Sequence, residues 1–447
     1  MKIKLLVVIL LSIGGIAISQ MTGPRNVQYW AQWRGPLATG ESTTATPPVQ
    51  WSETTNIRWK IAIPGKGLST PVVWQDKVFI TTAINLNKAA DPGDGKQADH
   101  PMWMRVAGMS KTTENIQQFV VMAIDCNSGK IVWQKAVREQ LPHEGTHKDG
   151  SWASASCVTD GEVLIAPFGS FGFYALDMDG NLLWQKDLGD MNITNRFGEG
   201  SSPALFGDRV IINWDHEGES FIMALDKHTG ESLWKTERDE GTSWSTPLVV
   251  PVDGRYQVIV PATNQTAGYD LETGELIWYV SGLTRNVIPS PVHHDGVVYV
   301  MSGFRGAALQ AIRLSGARGD LQGTSHILWS LEDNTPYTPS PLLYQGNLYY
   351  LRSNNEQLTC TDASSGKELY SREKLDELDG VYASPVAADG RIYITGRNGV
   401  TAVLQPGAEF KVLAINPLDD KIDASAALVG KDLILRGLEH LYCIRNE

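Results

Sequence analysis

His143-Glu144-Gly145-Thr146-His147 satisfies H-E-x-x-H. On an α-helix that spacing sets two imidazoles over one metal ion with a glutamate beside it as base. The flanking residues argue against such a helix, because Pro142 precedes the motif, Gly145 interrupts it and Gly150 follows. A zinc protease is therefore not expected, and no metal set is assigned. What remains is a ligand contact through His143 or His147, joined by Asp215 or His216 farther along the chain. A second chemistry comes from arginines spread along the sequence: Arg196, Arg238, Arg285, Arg305, Arg352 and Arg397. Guanidinium groups suit carboxylate, sulfate or phosphate through paired hydrogen bonds. Two roles are open to them, binding an anion together or pairing with nearby acids at a solvated rim. Trp244, Phe304 and Tyr337 could stack on a planar or sugar ring, or pack among themselves.

The elements that must position these residues follow from a repeat. A small residue or two, then proline, then an apolar strand recurs at Ser69-Thr70-Pro71, Ser201-Ser202-Pro203, Ser245-Thr246-Pro247, Ser290-Pro291, Ser340-Pro341 and Ser384-Pro385. Degenerate copies stand at Ser156-Cys157 and Ser425-Ala426, which makes eight. The spacing is about 41 to 50 residues apart from one long gap after the first, the period of one propeller blade. A second element follows each first one: Asp, a Gly turn, then an aromatic four residues on, as in Asp125-Gly129-Trp133, Asp177-Gly180-Trp184, Asp226-Gly230-Trp234, Asp270-Gly274-Trp278 and Asp362-Gly366-Tyr370. Glycine supplies the positive φ of a tight hairpin and Asp bonds the turn's own N–H groups, so these aspartates are turn formers. Period-two apolar runs lie between, and each repeat reads as four antiparallel strands.

The expected fold is all-β, an eight-bladed β-propeller over 56–447, with an N-terminal extension at 20–55 and an insertion at 84–115 in the first blade. The last repeat lacks an outer strand and Asn56-Ile57-Arg58-Trp59-Lys60 is an orphan, so the N-terminal strand should close the last blade and remove a free edge. In such a ring the loops between blades and those between the second and third strands open on one face. That face should gather the arginines, the two histidines and the long insertion, a candidate contact loop.

Ala224-Leu225-Asp226-Lys227-His228-Thr229-Gly230-Glu231-Ser232-Leu233-Trp234 carries the A-x-D-x-x-T-G-x-x-x-W pattern. In this the chain resembles the quinoprotein-like (PQQ-like) β-propeller repeat family over roughly residues 28 to 445. The opening Trp30-Ala31-Gln32-Trp33-Arg34-Gly35-Pro36 is similar to the start of other exported propellers. The family includes quinone-dependent alcohol dehydrogenases as well as non-enzymatic scaffolds, among them the propeller lipoprotein of the outer-membrane β-barrel assembly machinery. The resemblance implies pyrroloquinoline quinone with calcium as a cofactor. The adjacent cysteine pair of the dehydrogenases is absent, however, and no calcium ligand set can be assigned. The lipid-bearing cysteine of the scaffold is missing too.

Lys2 and Lys4, an apolar run from Leu5 to Ile18 and Ala17-Ile18-Ser19 form a secretory signal over 1–19. The mature chain should be periplasmic or secreted, without a transmembrane segment. Cys126, Cys157, Cys360 and Cys443 are widely separated and read as buried thiols. With 50 acidic against 38 basic residues and a net charge of −12, nucleic acid is excluded as a general partner. The reading that follows is a binding scaffold whose arginine-rich face takes an anionic small molecule, a saccharide or an envelope protein. Its ligand contacts would be Arg196, Arg238, Arg285, Arg305, Arg397, His143, His147, Asp215 and Trp244. The alternative is an enzyme, either a quinone-dependent oxidoreductase or one acting on acidic saccharides, with a catalytic set not legible in the sequence.

Overall fold

The computed structural model describes residues 27–91 and 97–446. The expected signal, 1–19, lies outside the described residues. Eight small antiparallel sheets follow one another around an axis, and we number the blades in chain order. Blade 1 is built from Val72–Trp74, Lys77–Ala89, Asn115–Asp125 and Ile131–Gln140. Blade 3, the most regular, uses Ala204–Phe206, Arg209–Trp214, Phe221–Asp226 and Ser232–Glu237. The innermost strand is only three residues long in most blades, which is what a ring of eight leaves room for near its axis. Alternating side chains fill the space between sheets, so the core is a series of apolar layers, each shared by neighbouring blades.

Blade 8 joins the ends of the chain. Ala427–Val429, Asp432–Arg436 and His440–Ile444 are completed by the N-terminal strand Ile57–Ala62, which pairs antiparallel with His440–Ile444. The closing strand expected from the sequence is thus in place. In every repeat with the Asp-Gly-aromatic signature, Asp caps its own turn; Asp226 Oδ1 accepts from the N–H groups of His228 and Thr229, both at 2.9 Å. The glycine of that turn has a second duty. A Cβ on Gly230 would stand 2.8 Å from the Trp184 ring of the preceding blade, and Gly129 and Gly180 meet Trp59 and Trp133 in the same way. Each indole lies flat on the next blade's turn, and Trp184 Nε1 donates to the Lys227 carbonyl at 2.7 Å. Blade 4 departs from the pattern: Trp278 bonds Gln257 of its own sheet at 2.9 Å, and Gly319–Asp320 adds a parallel strand outside it.

One sequence expectation needs correction. The insertion was expected from Ile84, but strand Lys77–Ala89 runs on to Ala89, because residues 84–89 still find antiparallel partners in Asn115–Gln118. The blade 1 hairpin is therefore built of long strands, and the interruption proper lies beyond Ala89, with a helix at Met102–Val106. The N-terminal extension packs on the ring. Glu41–Ser42 pairs parallel with Ala387 and Ala388 on the inner strand of blade 7. Among the described residues no helix is long and apolar enough to cross a membrane.

Candidate functional site

The hydroxyl at the position before the motif proline accepts from the backbone N–H at the same position of the preceding blade. Thr70 N donates to Ser156 Oγ, Ser156 N to Ser202 Oγ, and Ser202 N to Thr246 Oγ1. The relay continues through Ser290, Ser340 and Ser384 to Ser425, at 2.9–3.1 Å. Seven links join eight blades into a hydroxyl collar around the channel. The retained serines of the two degenerate repeats, Ser156 and Ser425, are now explained: proline is dispensable there and the hydroxyl is not.

Below the collar the channel is blocked by residues 30–42. The Trp30 and Ala31 carbonyls accept from Val73 and Thr159 in the inner strands of blades 1 and 2. Arg34, buried and without a carboxylate, donates to the carbonyls of Pro385 (2.8 Å), Pro341 (2.7 Å) and Thr39 (3.2 Å). Trp33 Nε1 donates to Ser290 Oγ in the collar at 3.0 Å. This strap turns an open channel into a blind funnel of about 1140 Å³, with loops of all eight blades in its wall. Trp33 stands on the floor, and Trp103, Phe197, Trp244, Phe304, Tyr337 and Tyr382 line the sides.

The structure brings some predicted residues to this funnel and withdraws others. Arg238 and Asp215 are withdrawn: their side chains have no exposure and bond each other at 2.7 and 3.1 Å, with Ser243 and Tyr269 completing the set. Burial opposes the charge on Arg238, but Asp215 outweighs it and the guanidinium stays charged. Arg196 leans on Glu144 at 3.7 Å. Arg397 is clamped between Asp423 (2.7 Å) and Asp149 (3.1 Å) and lies 3.9 Å from the Tyr382 ring centroid. Half of the expected arginine ring is therefore neutralised by acids that neighbouring loops deliver. Arg285 and Arg305 are different: both are exposed, both line the funnel, and neither has a carboxylate partner among the described residues. Arg305 lies 5.4 Å from the centroid of Phe304, which stacks on Tyr337 at 4.9 Å.

The H-E-x-x-H segment is not helical. Thr146–His147 pairs with Ser110–Lys111 of the insertion, so the two histidines diverge. His143 Nε2 lies 2.9 Å from the Met191 carbonyl and outside the funnel. His147 does reach the wall, 3.6 Å from Asp149, and burial holds its pKa below the usual value. Trp244 lines the funnel with its Nε1 fixed on the Gly198 carbonyl at 2.7 Å.

Sequence reasoning missed the acids at the same wall. Glu199 accepts from Ser170 N (2.7 Å) and Ser170 Oγ (2.5 Å), and burial pushes its carboxyl up to about 7. Its Oε2 occupies the place a Cβ on Gly169 would need. Glu217 receives Thr242 N and Oγ1 at 3.1 and 2.8 Å. Each of these acids is held by donors from another loop, a pairing that no local motif records.

A sequence model of the family described as outer membrane protein assembly factor BamB matches residues 37–213 and 218–409. The chain belongs to this family. Within the BamB-type family, it is similar to BamB of Yersinia pestis, 24% identical over 333 residues that make up 71% of this chain and 77% of that protein. It also resembles methanol dehydrogenase subunit 1 of Methylorubrum extorquens, 27% identical over 159 residues, but spans only 24% of that protein's length. A solved europium-containing methanol dehydrogenase superposes with a TM-score of 0.62 at 12% identity, covering 93% of this chain and 91% of the other. That likeness shows the shared propeller fold, which BamB-type chains and dehydrogenases have in common.

The funnel does not fit a calcium-held quinone. Cys126, Cys157, Cys360 and Cys443 are separate and buried, and none lines the funnel. Among the described residues no group of three or more His, Cys, Asp and Glu side chains could hold a metal ion. The carboxylates at the wall are already taken, Asp149 and Asp423 by Arg397, Glu217 by Thr242 and Glu199 by Ser170.

Proposed function

We propose that this chain is an exported binding propeller whose blind funnel takes an acidic saccharide. The observation that carries the reading is the arc formed by Arg285 and Arg305 beside the Phe304–Tyr337 stack. Two guanidinium groups without acidic partners would hold carboxylate or sulfate, and flat aromatic faces beside them suit the apolar face of a sugar ring. The collar and the loops add neutral hydroxyl and amide groups, from Ser290, Ser340, Asn264, Asn286 and Asn354, that suit sugar hydroxyls. The secretory signal expected at 1–19 and the assembly-factor name of the relatives support a place in the cell envelope, where anionic glycans are at hand. Of the roles considered, binding fits these residues better than quinone redox chemistry, because the carboxylates described at the wall are held by Arg397, Thr242 and Ser170.

Calorimetric titration with a galacturonate tetramer and with its fully methyl-esterified, uncharged form tests this. Saturable binding of the acid, with the ester bound at least tenfold more weakly, is expected. Arg285→Ala with Arg305→Ala should cost about tenfold or more, since one charge-assisted hydrogen bond contributes roughly 1.5–3 kcal/mol. Equal binding of acid and ester, or none of either, overturns the reading.

A further inference from the structure

Arg285 and Arg305 occupy particular places in the repeat. Arg285 lies in the loop that enters blade 5, Arg305 in the loop between that blade's second and third strands, and the backbone bridge Arg285–Phe304 ties the two loops together. Blade 1 has the same arrangement. Lys66 lies in the loop entering blade 1 and bridges Ala83 by two backbone hydrogen bonds of 2.9 Å, the counterpart of the Arg285–Phe304 bridge. Lys111 comes from the insertion between the second and third strands of that blade. In a ring of eight, blades 1 and 5 stand opposite each other.

The two lysines lie on segments that Ser151 and Trp152 hold side by side. Lys111 belongs to the short strand paired with Thr146–His147, and its ammonium lies 5.7 Å from the Trp152 ring centroid. The Lys66 carbonyl is held by Ser151 Oγ at 3.1 Å, and the Lys66 side chain reaches that of Lys111. Neither has an acidic partner among the described residues. The charged groups of the adjoining elements are turned elsewhere: Glu144 to Ile193 N and Arg196, His147 to Asp149, while His100 of the insertion packs beneath Gly145. Burial, and then Lys66, bring the Lys111 pKa down to about 8. Like charges held together on rigid backbone repel, and an anion between them relieves that repulsion. Leu68 and Met109, each two residues from one of the lysines, line the funnel.

We infer that Lys66 and Lys111 form a second anion subsite facing the Arg285–Arg305 arc, so that the funnel takes a saccharide carrying anionic groups toward both ends. This rests on the reading of the funnel as an acidic-saccharide site. It adds that one terminal charge is not enough.

The full chain is titrated with the galacturonate tetramer and with monomeric galacturonate, at pH 7 and pH 9. Tetramer affinity should fall about tenfold on Lys66→Ala with Lys111→Ala, and monomer affinity for the arginine arc should not change. Wild-type tetramer affinity should also weaken severalfold to tenfold from pH 7 to pH 9, as Lys111 loses its proton. Lys111→Arg stays charged and should abolish that dependence, and circular dichroism of each variant reports folding. If the arginine variants lose binding while the lysine variants keep it, or if Lys111→Arg titrates like wild type, the second subsite is overturned and the first reading stands. If neither pair matters, or the tetramer does not bind, both fall.

Discussion

At the scale of single residues, the molecule separates charges that bind from charges that build. Asp215 and Arg238 look like site residues by type and loop position, yet they are sealed together with Ser243 and Tyr269. Removing one partner leaves a buried charge uncompensated. Glu240 is another buried group with a pH signature. It accepts from Asn264 N (2.8 Å) and Gln265 N (2.9 Å), and burial pushes its carboxyl from 4.5 up to about 7. A carboxyl whose folded pKa is raised binds its proton more tightly in the folded chain. Its contribution is therefore full below about 4.5 and is lost as pH rises through about 7. Glu199 acts in the same direction. Thermal unfolding should show a higher midpoint at pH 5 than at pH 8 over this window, and Glu240→Gln should flatten part of the difference. An unchanged slope in that variant would assign the pH dependence to other groups.

At the scale of elements, the blades were legible in the sequence and the site was only half so. Repeat period, turn aspartates, docking tryptophans and the closing strand are local or periodic signals, and they translate directly into strands. The pairing of arginines is neither. Arg397 takes Asp149 from a loop far earlier in the chain, and Arg196 takes Glu144 from the preceding inter-blade loop. Only the closed ring sets these partners side by side, so a sequence count of free arginines overstates the positive face. The collar was within reach, since every repeat keeps a hydroxyl at one position even where proline is lost. Its members should be costly to replace. Ser340→Ala would leave the Ser290 N–H buried without an acceptor, at a cost of about 1–3 kcal/mol by urea unfolding. Ser340→Thr keeps a hydroxyl and should cost less; equal loss in both variants would point to sterics rather than the hydrogen bond.

At the scale of the whole molecule, the segment from Trp30 to Ala62 both blocks the channel and completes the ring. Arg34 ties blades 6 and 7, and Ile57–Ala62 supplies the outer edge of blade 8. A chain beginning after Ala62 should lose its cooperative thermal transition. Deletion of 27–42 alone should leave a folded ring with lower stability and an accessible second channel mouth. Calorimetry of the two deletions separates closure from plugging: identical behaviour would mean that the strap, not the closing strand, holds the ring.

The closing strand also sets an order in time. Ile57–Ala62 is made long before its partner His440–Ile444; the nearby bond from Trp51 N to Asn416 Oδ1 already spans 365 positions. The ring has no way to finish until the eighth blade has been delivered, and pairing over such separations is slow. Through that interval the molecule carries two matching open edges, one on the early strand and one on the late blade. Where two newly made copies meet, the early strand of one fits the late blade of the other as well as its own, so crowding during production favours exchanged dimers over single rings.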